Sequence, residues 1–280
     1  MRKKTKLFNV FSGLLALMLL LSACAAPHTP APTEDTQIGT LATEPTEAPT
    51  TEPTLPPPPS NPYAPENFVM EDGFMTCTAA PTMLGIDVSY WQQNVNWQQV
   101  KDAGIEFAMI RIGWRGSEKG VLAEDDFVHQ NFQGASAAGL QVGGYFFSQA
   151  ISVEEAIEEA EYALSIIEGY DVQMPIVYDW EYISWDSRTG FVSKRTLTEC
   201  TKAFCDTIRA AGYEPMIYFN ENQSHKQMYL EELTDYKFWL AKYDSVLEYP
   251  YAIHMWQYTC EGSIPGIYGN VDINLYFPEA

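Results

Sequence analysis

Eight short apolar runs separated by helix-type segments constrain the fold of this chain more than any other feature. They lie at residues 84–89, 107–113, 141–148, 175–181, 215–220, 238–243, 254–258 and 271–277. Several are continuously apolar rather than alternating, as expected of strands buried on both faces. Helices are predicted between the earlier runs, at 96–103, 125–138, 152–168, 196–211 and within 222–233. The third opens on a capping box, Ser152-x-x-Glu155, and the fourth on Thr196-x-x-Glu199; Gly139, Gly169 and Gly212 supply helix stops. The last three runs are joined by loops too short for crossover helices. Strand–helix alternation implies a parallel sheet. Eight strands with five helices predict an α/β fold, a TIM-like barrel whose last helices are missing, with an open doubly wound sheet as the alternative. Neither a Gly-x-Gly-x-x-Gly after a strand nor a P-loop is present, so a nucleotide site has little support.

The N-terminus follows a different logic. A basic start, Arg2-Lys3-Lys4, precedes an apolar run from Leu7 to Leu21 that is short for a membrane span. It ends Leu21-Ser22-Ala23-Cys24, the pattern of a bacterial lipobox. Residues 1–23 are therefore predicted to be a lipoprotein signal, with Cys24 lipidated and the mature chain held on the membrane through its acyl chains. Residues 24–79 are expected to form a linker rich in Pro, Thr and Glu, including Pro56-Pro57-Pro58-Pro59. Such a segment has too few large apolar residues to offset its ordering entropy. At ~3.1 Å per residue it would reach on the order of 100 Å. Residues 80–280 form the expected catalytic domain, large enough for one substantial core.

The formal net charge is −21, and loss of the signal's basic residues makes the mature chain more negative still. This argues against nucleic acid as a partner. Beyond Cys24, the cysteines are Cys77, Cys200, Cys205 and Cys260, whose spacing leaves any disulfide pairing open. The histidines are scattered and share no zinc-ligand spacing with a Cys, so no metal or other cofactor is expected.

In parallel barrels, reactive groups stand at the C-terminal strand ends. Asp87, Asp179, Glu181 and Asp272 fall at the ends of three of the runs. Asp179 and Glu181 are one pleat period apart, so both should face one cleft. Like charges in proximity, walled by aromatics such as Tyr178 and Trp180, raise a carboxyl pKa. A protonated carboxyl beside an ionised one is the arrangement that glycoside cleavage uses. Tyr90, Trp91, Trp114, Tyr145, Tyr218, Trp239, Tyr243, Trp256 and Tyr258 also cluster near strand ends. Sugar C–H surfaces pack on such rings.

Together these segments resemble glycoside hydrolase family 25, the N-acetylmuramidase type of lysozyme. The resemblance is carried, in order, by Gly85-Ile86-Asp87-Val88-Ser89-Tyr90-Trp91-Gln92, Phe107-Ala108-Met109-Ile110-Arg111-Ile112-Gly113, Gly144-Tyr145-Phe146-Phe147, Asp179-Trp180-Glu181, Ile217-Tyr218, Phe238-Trp239-Leu240-Ala241, Met255-Trp256-Gln257-Tyr258 and Val271-Asp272-Ile273-Asn274. It implies a flattened barrel of five β/α units followed by three strands. It also implies hydrolysis of the β-1,4 bond between N-acetylmuramic acid and N-acetylglucosamine in peptidoglycan. By the family pattern Glu181 is the proton donor and Asp179 assists, with Asp87 and Asp272 lining the cleft. Tyr145, Tyr218, Trp239 and Trp256 are the expected substrate contacts. Many members carry Tyr-His-Phe where this chain has Tyr145-Phe146-Phe147, which predicts a missing polar contact there. A chitinase-like family 18 signature would need an Asp at Val177. A lipid-anchored enzyme of this type would work outside the cytoplasm, facing the cell wall. The alternative is a non-catalytic peptidoglycan-binding lipoprotein on the same fold. A metal-dependent deacetylase lacks its His/Asp triad, and a solute-binding protein lacks its second lobe.

Overall fold

The computed structural model describes residues 55–278. The predicted signal, Cys24 and most of the predicted linker lie outside them. The chain runs β1 (Phe68–Glu71), β2 (Phe74–Cys77), β3 (Met83–Val88), α1 (Trp97–Asp102), β4 (Phe107–Arg115), β5 (Leu122–Glu124), α2 (Val128–Ala137), β6 (Gln141–Ser148), α3 (Val153–Ile167), β7 (Ile176–Trp180), α4 (Lys194–Ala210), β8 (Pro215–Asn220), α5 (Glu221–Lys226), β9 (Lys237–Ala241), β10 (Met255–Gly262) and β11 (Val271–Tyr276).

Eight strands close into a barrel in the order β3-β11-β10-β9-β8-β7-β6-β4, with β3 pairing back to β4. β11 alone in this ring runs antiparallel to both neighbours. The order is five β/α units followed by three strands, as the resemblance implies, and closure excludes the open doubly wound sheet. β5 lies outside the ring, antiparallel to β4.

Helix packing follows sequence period. α4 buries Leu197, Cys200, Thr201, Phe204, Cys205 and Ile208, a stripe at helical spacing. Its start differs from expectation: Ser193 is the N-cap, accepting from the Thr196 amide at 3.0 Å, and Thr196-x-x-Glu199 lies inside the helix. In α3, Ser152 accepts from the Glu155 amide as expected, at 3.3 Å. The Glu155 carboxylate turns instead to the Ile151 amide and Arg188. Cys77, Cys200, Cys205 and Cys260 are all unbonded.

The expected linker boundary at residue 79 is too late. β1 and β2 form a hairpin whose turn places Asp72 and Gly73 at φ 52° and 89°, a tight-turn geometry that glycine favours. Phe68, Met75 and Cys77 are buried against the barrel. The Phe68 ring meets Trp256 edge-on at 5.3 Å, and Tyr63 stacks on Phe277 at 5.0 Å. Upstream, Asn61 donates to the Pro250 carbonyl and Ala252 to that of Pro59. These residues are part of the folded body.

Inside the barrel, Phe107, Met109, Val177, Met216, Met255 and Tyr276 form an apolar plug. Gly85 admits it: a Cβ there would lie 2.3 Å from the Phe107 ring. The plug closes the floor, and the polar residues stand above it.

Candidate active site

Strand parity builds the site. Inward positions alternate along each strand, so Phe107 and Met109 are followed by Arg111, Val177 by Asp179 and Glu181, Met216 by Tyr218, and Met255 by Gln257. On β11, Tyr276, Asn274 and Asp272 rise in the same way. Asp272 pairs directly with Asp87 across the antiparallel β11–β3 ladder. The result is a cleft of about 250 Å³ at the C-terminal mouth, whose lining includes Asp87, Asp179, Glu181, Asp272, Tyr145, Tyr218 and Trp239. All four predicted carboxylates thus meet in one cavity.

Trp256 does not join them. Its ring is buried outside the barrel wall, against Phe68, and its Nε1 donates to the Lys242 carbonyl at 2.7 Å. Gln257, one residue on, faces the cleft instead. The Tyr145-Phe146-Phe147 departure does not affect the cleft either. Phe146 is fully buried and meets Tyr162 of α3 edge-on, so that position faces the helix layer, and the cleft loses no polar group there.

A hydrogen-bonded chain holds Asp87. Asn274 Nδ2 and Gln257 Nε2 both donate to Asp87 Oδ2, at 2.8 and 2.9 Å. Asn274 Oδ1 accepts from Trp239 Nε1 at 2.9 Å. Gln257 Oε1 accepts from the hydroxyls of Tyr218 and Tyr243, each at 3.0 Å. Asp179 is different: it is buried, and its Oδ1 has no hydrogen-bond partner. An unpaired buried carboxylate oxygen is costly unless a ligand or a proton satisfies it.

The electrostatics are those of crowded, desolvated acids. Burial, then Glu181 and Asp87, push the Asp179 carboxyl well above its usual range, with Arg111 opposing. Burial, then Asp272, raise Glu181. Burial raises Asp272 to about 6, and burial with Asp272 raises Asp87. The cleft therefore retains protons at pH values where free carboxyls have lost them.

Arg111 is the only cation among the described residues lining this cleft. It is largely neutralised: its guanidinium lies 2.7 Å from the buried Asp125 carboxylate and stacks over Tyr90 and Trp114, at 4.7 and 5.1 Å. Sequence reasoning assigned no site role to Arg111, Gln257 or Asn274, and placed Tyr243 only among the strand-end aromatics. The signal for the first was available, since a lone Arg two residues beyond Met109 shares the inward face of β4.

A closed barrel, parallel except for β11, that gathers four carboxylates and several aromatic side chains in one cleft at its mouth has the make-up of a glycosidase site. The chain belongs to the glycosyl hydrolases family 25, whose family model matches residues 86–267. It is 28% identical over 212 residues to the uncharacterized protein YegX of Escherichia coli strain K12, covering 71% of each. It is 26% identical over 206 residues to Lysozyme M1 of Streptomyces globisporus, covering 69% of this chain and 67% of that one. Among solved structures, the bacterial lysozyme of Streptomyces coelicolor superposes with a TM-score of 0.56 at 26% identity, covering 71% of this chain and 93% of that one. The autolysin LytC of Streptococcus pneumoniae, in complex with a synthetic peptidoglycan ligand, gives a TM-score of 0.64 at 23% identity. That match covers 75% of this chain and 52% of LytC, so this chain spans about half of the autolysin's length. The protein is a lysozyme-type glycosidase.

Proposed function

We propose that the chain hydrolyses peptidoglycan at the β-1,4 bond between N-acetylmuramic acid and N-acetylglucosamine, with Glu181 as general acid and Asp179 assisting. The observation that carries this reading is geometric: Glu181 and a buried Asp179 whose Oδ1 is unpartnered line one cleft. Relatives named lysozyme and a structural neighbour holding a peptidoglycan ligand support the substrate class.

In the favoured sequence the 2-acetamido oxygen attacks the anomeric carbon while Glu181 gives its proton to the departing glycosidic oxygen. Asp179 accepts from the acetamido N–H and balances the cationic ring that forms. Glu181, now ionised, takes a proton from water as that water opens the ring from the same face, so configuration is retained. Direct attack by a carboxylate is the second route to retention. Val177, where a chitinase of family 18 would carry an Asp, is buried in the apolar plug, which supports the muramidase over the chitinase reading.

Digestion of purified peptidoglycan followed by mass spectrometry tests the reaction. New reducing ends on N-acetylmuramic acid are expected. New ends on N-acetylglucosamine would reassign the bond, and no cleavage by a folded protein would favour a binding role. The anchor is a separate part of the reading, motivated by Leu21-Ser22-Ala23-Cys24. Cys24→Ala should release the protein from the membrane fraction, and identical fractionation of variant and parent would refute lipidation.

A further inference from the structure

Arg111 enters the cleft as a cation that is already paired, and its partner Asp125 stands outside the cleft lining. β5, the strand outside the barrel ring, delivers that partner. It folds back antiparallel on β4 with Glu124 opposite Gly113, and the Asp125 amide donates to the Ile112 carbonyl at 3.0 Å. Gly113 permits the approach, since a Cβ there would lie 2.5 Å from the Ala123 carbonyl oxygen. Glu124 turns the other way and meets His129 at 2.9 Å.

Asp125 is 1% exposed, and both of its oxygens are in use. Oδ2 accepts from Arg111 Nε at 2.8 Å and from the Tyr90 amide at 3.0 Å, while Arg111 Nη2 lies 2.7 Å away. Oδ1 accepts from the Phe127 amide at 3.0 Å. β4 pairs Arg111 with Tyr145 but Gly113 with Phe146, a bulge that puts one extra residue in β4. Without the bulge, Trp114 would point away from Arg111, because three residues separate them. With it, the guanidinium packs on both Tyr90 and Trp114. These contacts hold the cation in one place and set a full negative charge against it.

The other groups around Arg111 are acids. Asp87, Asp179, Glu181 and Asp272 share the cleft with it, and Asp126 lines an adjoining concavity. Tyr145 is the phenol that feels its charge; Tyr218 and Tyr243 are tied to Gln257. An uncompensated guanidinium in this company would favour the ionised forms of the whole group. A general acid, however, must hold its proton until the leaving oxygen takes it.

We propose that Asp125 is a positioning residue for proton donation: by holding and neutralising Arg111 from outside the cleft, it lets the catalytic carboxyls keep a proton beside a cation. The inference rests on the proposed proton donor lying in this cleft. Asp125 acts through Arg111, so its effect falls on the pH at which the carboxyl cluster loses its last proton.

Asp125→Asn tests this, because the amide keeps the shape and an acceptor for Arg111 but removes the charge. On solubilised glycan strands the alkaline limb of kcat/KM should move to lower pH by about one unit, the low end of what a nearby opposite charge does to a carboxyl. Arg111→Gln combined with Asp125→Asn removes both charges, and should return the limb to the parental pH even where the rate stays low. A purely structural Asp125 would lower the rate at every pH and leave the limb in place. If Asp125→Asn melts early, Asp125→Ser supplies the same readout, since a hydroxyl can still accept from the Phe127 amide two residues on. An unmoved limb in a folded variant, or one that the double variant does not bring back, would overturn the inference and leave the muramidase reading intact. A parent that cleaves no glycan would overturn the muramidase reading, and the inference with it.

Discussion

The side-chain amide of Gln149 donates to the backbone carbonyl of Glu181 across 2.7 Å, tying the residue after β6 to the residue after β7. Gln149 is fully buried, and its Oε1 accepts from Thr189 Oγ1 at 3.3 Å. Its own carbonyl accepts from Arg188, which also pairs with Glu155 at 2.6 Å. The loop from 181 to 193 is thus held where it starts and where it returns. Gln149 holds the Glu181 backbone from outside the cleft lining.

Gln149→Leu should consequently lower kcat about tenfold while KM changes little, because a carbonyl left without its donor costs about 1–3 kcal/mol and frees the Glu181 backbone. Steady-state kinetics beside a thermal melt checks this. A lowered melt with unchanged kcat would reduce Gln149 to a purely structural role.

The carboxylates themselves carry a two-sided expectation. Glu181→Gln should lose ~10²–10⁴-fold in rate, the usual worth of general-acid assistance. Asp179→Asn should also be strongly impaired. Both substitutions should raise the melting temperature at neutral pH, since each removes a carboxyl whose ionisation is opposed by burial. Activity and melting curves on the same preparations decide the matter. Near-parental turnover of Glu181→Gln would move the proton donor elsewhere in the cleft.

Trp256 makes the opposite case. Its ring packs under the β1–β2 hairpin, so Trp256→Ala should cost about 3–5 kcal/mol of stability with KM nearly unchanged. Phe68→Ala, which removes the other half of that contact, should shift stability the same way. Denaturant unfolding and substrate titration separate this from a binding role: a raised KM without destabilisation would restore Trp256 to the site.

The contrast between Trp256 and Gln257 shows where the sequence was legible. Continuous apolar runs located the barrel strands, and the observed bounds of β6 and β8 match their predicted ranges. Parity within a run is harder to read. Both faces of a barrel strand are buried, so alternation cannot show which face lines the interior, and from sequence alone Trp256 and Gln257 are equally eligible. Asp179 and Glu181 escaped that ambiguity because two acids at a period of two have no place among the helices. Arg111 was readable by the same logic from Phe107 and Met109. The hairpin had a signal in Asp72-Gly73, hidden by its short strands and the Pro-rich residues before it. The bulge that turns Trp114 left no mark, since a bulge is a property of pairing between strands.

The raised carboxyls also set how stability responds to pH. Asp272 shifts from the ordinary 3.8 to about 6 on burial, so the folded state holds its proton over a range where the unfolded chain has released it. Stability from this group is fully present below about pH 4 and is lost as pH rises through about 6. Asp87, Asp179 and Glu181 shift in the same direction. His254 opposes them: burial lowers it to about 4, and its Nδ1 accepts from the Phe238 amide, so its contribution is lost as pH falls toward that value. The parental melting curve mixes both effects, but comparison with Asp272→Asn isolates one. The variant's melting temperature relative to the parent's should rise progressively between about pH 4 and pH 7. The same substitution removes the charge that helps hold the proton on Glu181, so the alkaline limb of kcat/KM should move to lower pH. That limb belongs to the coupled cluster rather than to one side chain. A constant melting difference across the range, together with an unmoved alkaline limb, would show that Asp272 does not titrate with the site.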